Sequence, residues 1–167
     1  MHQLLSVRYG NLLGFLACLG LMGFALFAQY VLGMEPCPLC TFQRLAVIFM
    51  GVVFLLAGLH AAKNTWRYLY AVLLAIGSLA GIGVAGRHVW LQNLPKDQVP
   101  ACGPGLDFMV DTFPFFEVLD MVLSGSGECA EVSWRFIGLT MPAWTLICFI
   151  ALSVWALCVN VVRPKTF

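Results

Sequence analysis

The sequence predicts an all-α membrane protein: a four-transmembrane-helix bundle with two extracytoplasmic loops, the second long and carrying a short interfacial helix. Two observations carry this expectation. The 167 residues are 61% hydrophobic and only 10% charged, a composition that cannot cover a water-facing surface. Several apolar stretches also reach the roughly 20 residues that a helix needs to cross the hydrocarbon layer. Each crossing must be helical, because isolated strands would leave backbone groups unpaired where no water reaches. The length is that of one membrane domain, residues 1–167. A lipid bilayer is the expected surrounding, and no nucleic-acid partner is expected.

The first span covers about residues 11–32. Arg8 precedes it as it would a secretory signal, but the apolar run is too long and shows no small-x-small cleavage site before Glu35, so the segment is read as retained. The second span covers about residues 41–62, the third about 68–89 and the fourth about 143–162. Four crossings put both termini on one side. Charge then sets the orientation. Arg8, Lys63, Arg67, Arg163 and Lys165 flank the spans on the side of the termini, whereas all eight acidic residues fall in the other two loops. By the positive-inside rule the termini and the Lys63-Asn64-Thr65 turn are cytoplasmic. The loops at about 33–40 and 91–142 therefore face outward. Aromatic residues agree with these boundaries: Trp66, Tyr68 and Tyr70 at the inner one, Tyr30, Trp90 and Trp144 near the outer one.

Seven cysteines divide along this topology. Cys18, Cys148 and Cys158 lie within predicted spans and read as small apolar residues. Cys37, Cys40, Cys102 and Cys129 lie in the outward loops, in one aqueous compartment where disulfide chemistry is allowed. Cys37-Pro38-Leu39-Cys40 is a C-x-x-C at the point where the first outer loop enters the second helix. Pro38 suits the first helical position, which makes Cys37 the N-cap and Cys40 a first-turn residue. The exposed amides and positive end of a helix favour a thiolate there, as redox exchange requires. A C-x-x-C is also half of a zinc site, but tetrahedral zinc wants four ligands, and the sequence has no second C-x-x-C and no C-x-x-H. No metal site is expected on that spacing.

Between Cys102 and Cys129 the chain reads Gly103-Pro104-Gly105, then an apolar aromatic stretch from Phe113 to Leu123, then Ser124-Gly125-Ser126-Gly127. The Gly/Ser segments read as flexible connectors, and the stretch between them is too short to span but apolar enough to lie in the interface. The loop would be held to the membrane with both cysteines movable. Taken alone, the pair fits a loop-stabilising disulfide as well as a redox relay. Arg44 lies four residues after Cys40, on the same helical face one turn away. A guanidinium in lipid is expensive unless paired or snorkelling, so Arg44 is either a depth anchor or a functional group that favours a thiolate and hydrogen-bonds a cofactor carbonyl. His88, at the outer end of the third helix, reads as a polar anchor or a second donor to that cofactor.

The set resembles the disulfide bond formation protein B family of bacterial inner-membrane proteins. The likeness rests on the four spans, on Cys37-x-x-Cys40 with Arg44 after it, and on Cys102 and Cys129 in the second loop. Further matches are His88-x-x-Leu91-Gln92, Cys129-Ala130-Glu131 with Trp134, and Gly138-Leu139 followed by Met141-Pro142-x-Trp144. The resemblance covers nearly the whole chain. It implies a thiol:quinone oxidoreductase in the bacterial inner membrane, with the soluble thioredoxin-like periplasmic oxidant DsbA as electron donor and ubiquinone or menaquinone as acceptor. It also implies that the partner attacks Cys102, that Cys129 is its disulfide mate, and that Cys37 and Cys40 reduce the quinone beside Arg44 and His88. The rival expectations are an epoxide-reductase-like thiol oxidase, a non-catalytic four-helix scaffold with structural disulfides, and a small membrane carrier for a metal.

Overall fold

The computed structural model describes residues 2–60, 65–95, 97–101, 106–132 and 134–162, with the side chains of residues 2–6 and 107 left aside. Cys102, the Gly103-Pro104-Gly105 connector and the charges Lys63, Arg163 and Lys165 lie outside the described residues. Among the described residues, four helices are long and apolar enough to cross a membrane. They are α1 (His2–Tyr30), α2 (Pro38–His60), α3 (Thr65–Gln92) and α7 (Met141–Leu157), the last running on into a π-helical turn, Cys158–Val162. α2 begins three residues before the expected start of its span. Pro38 is the reason: it has no amide proton to lose and its φ is already helical, so it opens the helix.

The bundle follows chain order. α1 packs on α2, α2 on α3 and α3 on α7, while α1 and α7 touch little along their lengths. These two close on each other at the end that holds the termini. There Asn11 and Asn160, both fully buried, exchange hydrogen bonds of 3.1 Å each way, and the Trp155 indole donates to the Gly10 carbonyl at 2.9 Å. Interhelical hydrogen bonds of this kind contribute about 0.6 kcal/mol on average within a membrane. Toward the other end α1 and α7 stand apart, and the gap is a cavity.

Small residues bring the backbones together, as expected where lipid removes the hydrophobic drive between helices. A Cβ at Gly81 would overlap the Phe149 ring, so α3 and α7 can approach this closely only with glycine there. The core so formed joins Met50, Phe54, Leu74, Phe149 and Leu152. Outward-facing Leu13, Leu16, Leu79 and Val154 stay exposed on the protein and meet the acyl chains.

The segment between α3 and α7 holds more structure than one interfacial helix. It contains α4 (Leu106–Thr112), α5 (Phe115–Ser124), α6 (Gly127–Ala130) and a hairpin of β1 (Arg135–Phe136) and β2 (Leu139–Thr140). α5 is the expected interfacial helix. Val118 and Val122 pack inward while Phe115 and Phe116 are 70% and 81% exposed, as suits rings dipping into the acyl boundary. Pro114 precedes it, and Gly125, at φ 85, ends it with its amide on the Met121 and Val122 carbonyls. The hairpin pairs Arg135 with Thr140 and Phe136 with Leu139. Its two-residue turn, Ile137-Gly138, has positive φ at both positions, the geometry that matches strand twist in tight hairpins.

Candidate functional site

The first turn of α2 builds the site. Because Pro38 opens the helix, Cys37 is left at the cap. Its carbonyl accepts the first helical hydrogen bond, from the Thr41 amide at 3.1 Å. Its sulfur accepts from the Cys40 amide at 3.4 Å, satisfying one of the orphan donors of a helix start. The same geometry turns Cys40 back, and the two sulfurs lie 3.2 Å apart as free thiols.

His88, on α3 and 3% exposed, stands over this pair. Its Nε2 is 3.8 Å from the Cys37 sulfur and its Nδ1 3.9 Å from the Cys40 sulfur. Gln43, buried one turn along α2, places its amide nitrogen 3.3 Å from Nδ1. The Gln43 amide and the two thiols thus meet His88 on both ring nitrogens, so its tautomer follows from how the amide is turned. Arg87, its neighbour in sequence, turns the other way: it donates to the Leu123 and Ser124 carbonyls at 3.0 and 2.9 Å and lies over the Trp90 ring. A cation on the last carbonyls of α5 satisfies that helix end and holds it to α3.

Cys129 arrives from the long loop. It is 1% exposed, packed with Leu39, Leu91, Val118 and Val122. The expectation of a movable cysteine is corrected here, because α5 and α6 fold Cys129 under the end of α3. Cys37 packs against the apolar cluster that holds Cys129, and the Ser126 hydroxyl lies 3.6 Å from the Cys129 sulfur. Its interaction with Cys37 and then burial push this thiol well above the ordinary range. Cys37 therefore stands beside Cys40 and against the cluster that holds Cys129. Cys102, the fourth cysteine expected here, lies outside the described residues.

Cys37 and Cys40 open on the gap between α1 and α7, a cavity of about 490 Å³, within the range of small-molecule sites. Its walls are mainly apolar, with Ala25 and Ala28 on one side and Met141, Pro142 and Trp144 on the other. Trp134 stacks on Phe136 at 5.7 Å, and Phe136 leans on Trp144 at 6.2 Å, so the hairpin closes the outer face with aromatic rings. Arg44 lines the same cavity. Its guanidinium donates to the Gln29 side chain and, at 3.1 Å, to the Ala25 carbonyl, both on α1. Both hydrogen-bond partners are neutral, and Glu35, Glu128 and Glu131 line the same cavity. Gln92 also lines it, and its buried Oε1 has no partner among the described residues.

These features fit a quinone in chemistry as well as size. The apolar walls suit a flat ring, the Arg44 guanidinium is a donor for a carbonyl oxygen, and Gln92 offers an acceptor for a hydroxyl.

A family model described as Disulfide bond formation protein DsbB matches residues 7–159. The chain belongs to the disulfide bond formation protein B family. Curated relatives agree. The disulfide bond formation protein B of Hahella chejuensis is 57% identical over 157 residues, 93% of this chain and 95% of its own length. That of Nitrosococcus oceani is 54% identical over 153 residues, 92% and 90% of the two chains. That of Chromobacterium violaceum is 52% identical over 150 residues, covering 90% of each.

In this member of the family the fold brings Cys37, Cys40, Arg44, His88 and Cys129 to one end of the bundle. Sequence reasoning missed Gln29 and Gln43, which hold Arg44 and His88, and the unpaired Gln92 oxygen. A signal was present for the first two, since polar residues within apolar helices are functional candidates. Cys148 was read as packing, yet it lines the cavity. The raised Cys129 thiol gives a direct test. At a pH where an ordinary thiol, of pKa about 8.5, is half ionised, Cys129 of the reduced protein stays protonated. Its alkylation by iodoacetamide, followed on the Cys129 peptide by mass spectrometry, should still be climbing above about pH 9. A midpoint like that of a free thiol would contradict the buried, hydrogen-bonded placement.

Proposed function

We propose that this chain is a quinone-dependent thiol oxidoreductase that reoxidises a periplasmic DsbA-type dithiol oxidase and so supports disulfide bond formation in exported proteins. It acts as one membrane domain of the bacterial inner membrane, with both termini cytoplasmic. The observation that carries the reading is the position of Cys37, whose sulfur lies 3.2 Å from Cys40 at the mouth of the cavity and whose side chain packs on the cluster that buries Cys129 under the outer loop. A quinone is confined to lipid and the partner's dithiol to water, and this sulfur stands between the two.

The nearness of Cys37 to Cys40 and to the cluster around Cys129 supports the following relay. In the oxidised protein the pairs are Cys37–Cys40 and Cys102–Cys129. A partner thiolate attacks Cys102, the bond to Cys129 breaks, and Cys129 leaves as a thiolate. The partner's second thiolate displaces Cys102, and the partner departs oxidised. Cys129 attacks Cys37, its neighbour, which breaks the Cys37–Cys40 bond and releases Cys40 as a thiolate toward the cavity. Cys102 then displaces Cys37 from Cys129, leaving the electron pair on Cys37 and Cys40. Ubiquinone or menaquinone, when bound, supplies the sink, taking up two electrons and two protons to become the quinol as the Cys37–Cys40 bond re-forms. Arg44 orients the ring and balances charge at its oxygen. His88 faces the Cys37 sulfur at 3.8 Å and is placed to hydrogen-bond it as Cys102 displaces it from Cys129.

The assay is quinone absorbance followed while purified protein is mixed with reduced DsbA and a soluble quinone. Turnover should require Cys40 and Cys102, and persistence of full activity in Cys40→Ser would sink the reading. Arg44→Ala should raise the KM for quinone about tenfold, the low end of what a charge-assisted hydrogen bond contributes, with partner exchange intact. Lysine should restore only part of this, since it keeps the charge without the planar two-pronged donor. An unchanged quinone dependence would make Arg44 a depth anchor. The orientation has its own check: on intact cells an impermeant thiol reagent should label a lone reporter cysteine near Asp107 and spare one near Lys63. The opposite labelling pattern would overturn it.

A further inference from the structure

Sequence spacing argued against a metal because it offered Cys37 and Cys40 two ligands and no more. The fold answers most of that objection. His88 arrives from α3, and the ligand atoms of Cys37, Cys40 and His88 lie within 4.8 Å of one another, while Cys129 arrives from α6 in the cluster on which Cys37 packs. We propose that the reduced protein binds a thiophilic divalent cation of the zinc class through Cys37, Cys40, His88 and Cys129, and that the bound metal arrests thiol exchange.

The geometry is close to what such an ion needs. With Zn–S about 2.3 Å and Zn–N about 2.0 Å, a tetrahedral site sets its sulfurs about 3.8 Å apart and sulfur to nitrogen about 3.6 Å. The Cys37 and Cys40 sulfurs are 3.2 Å apart, and Cys37 is 3.8 Å from His88 Nε2. The two sulfurs have only to part by roughly 0.6 Å, a small rotation about χ1. Cys129 is buried in the cluster against which Cys37 packs, and its thiol has to turn toward these three groups to complete a three-cysteine, one-histidine set, a known structural zinc type.

Three thiolates on one dication leave a single negative charge, which the Arg44 guanidinium opposes in a cavity that Glu35, Glu128 and Glu131 also line. Outer partners are in place as well. The Cys40 amide donates to the Cys37 sulfur, and the Ser126 hydroxyl faces Cys129. Gln43 sits at the far nitrogen of His88. With Nε2 on the metal the ring proton lies on Nδ1, and the Gln43 amide, turned to offer its oxygen, accepts it, the arrangement that steadies ligating histidines. Binding releases the three thiol protons and transfers no electrons. A disulfide offers no thiolate, so the oxidised protein has no such site.

The binding half of the proposal stands on geometry alone, whereas the arrest of exchange rests on the function proposed above. Co2+ is the probe, added without oxygen to the reduced full-length protein in detergent. One Co2+ per chain should bind, with the thiolate-to-cobalt charge-transfer band and the strong visible bands of a tetrahedral centre, and Zn2+ should displace it. The same protein oxidised with diamide should show neither, a comparison that needs no variant to fold. Cys40→Ser and His88→Ala should abolish the tetrahedral spectrum, Gln43→Leu should weaken binding about 10- to 100-fold, and Cys158→Ser should leave the spectrum unchanged. Weak octahedral bands, or tetrahedral bands that persist after oxidation or in Cys40→Ser, would overturn the site. In the quinone assay one equivalent of Zn2+ should stop turnover and a chelator restore it. Full turnover with the metal bound would overturn the arrest. A protein that never reduces quinone, with or without metal, would instead sink the proposed function, and the cobalt spectrum would still decide the site.

Discussion

Proline has no amide proton, so a helix can begin on it without losing a hydrogen bond, and the residue before it is left to cap the orphan donors that follow. In this protein that residue is a cysteine. Pro38 fixes where α2 starts, the Cys37 sulfur accepts from the Cys40 amide, and the Cys37 side chain is thereby held at the boundary between the membrane bundle and its outer cover. The neighbours follow from this one constraint. Cys40 is folded back beside Cys37, Arg44 falls one turn deeper on the same wall, and the end of α3 lays His88 across both sulfurs. Had α2 begun at Thr41, as hydropathy alone suggests, Cys37 and Cys40 would belong to a loop with no fixed relation to Arg44 or to the cavity.

The outer segment supplies the complement. A loop of this length facing water would be expected to move, yet α5 is tied to α3 by Arg87 on its terminal carbonyls, and its inner face of Val118 and Val122 covers Leu91 and Cys129. That apolar cover carries Cys129 to Cys37. Gly125 is needed at the corner: its φ of 85 is one that side chains disfavour, and a Cβ there would strike Leu91. The cavity owes its place to the opposite circumstance. α1 and α7 are sealed by the Asn11–Asn160 pair at the end of the termini and part at the other, leaving room for a flat ring beside the sulfurs.

Most of the bundle was legible in the sequence, because the bilayer imposes one requirement, apolar length, and hydropathy reports it directly. The ends of the spans were less so. They are set by local chemistry such as Pro38, and by helices running past the hydrocarbon, as α3 does to Gln92. The C-x-x-C, Arg44 and Cys129 could be marked as candidates because charge and thiols are rare in these settings. Their assembly could not, since spacing along one helix relates Cys40 to Arg44 but nothing in the chain order relates Cys37 to His88 or Cys129. Those contacts depend on packing between elements far apart in sequence. The short elements α4, α6 and the hairpin were missed for a related reason: they are too brief to show a period, and their glycine and proline content reads as loop. Gln29 and Gln43 were overlooked beside the louder signal of Arg44, although a buried amide in lipid must also be doing something with its hydrogen bonds.

At the centre of this account is a single sulfur that exchanges in two directions. It is tested most directly by acid-quenching the protein at intervals after mixing with reduced DsbA and quinone, then mapping disulfides in non-reducing digests. The account requires a transient Cys37–Cys129 disulfide that forms and decays as quinone is consumed, with Cys40 free in the same molecules. Turnover at full rate that passes only between Cys37–Cys40 and Cys102–Cys129, with no Cys37–Cys129 bond at any time point, would contradict it.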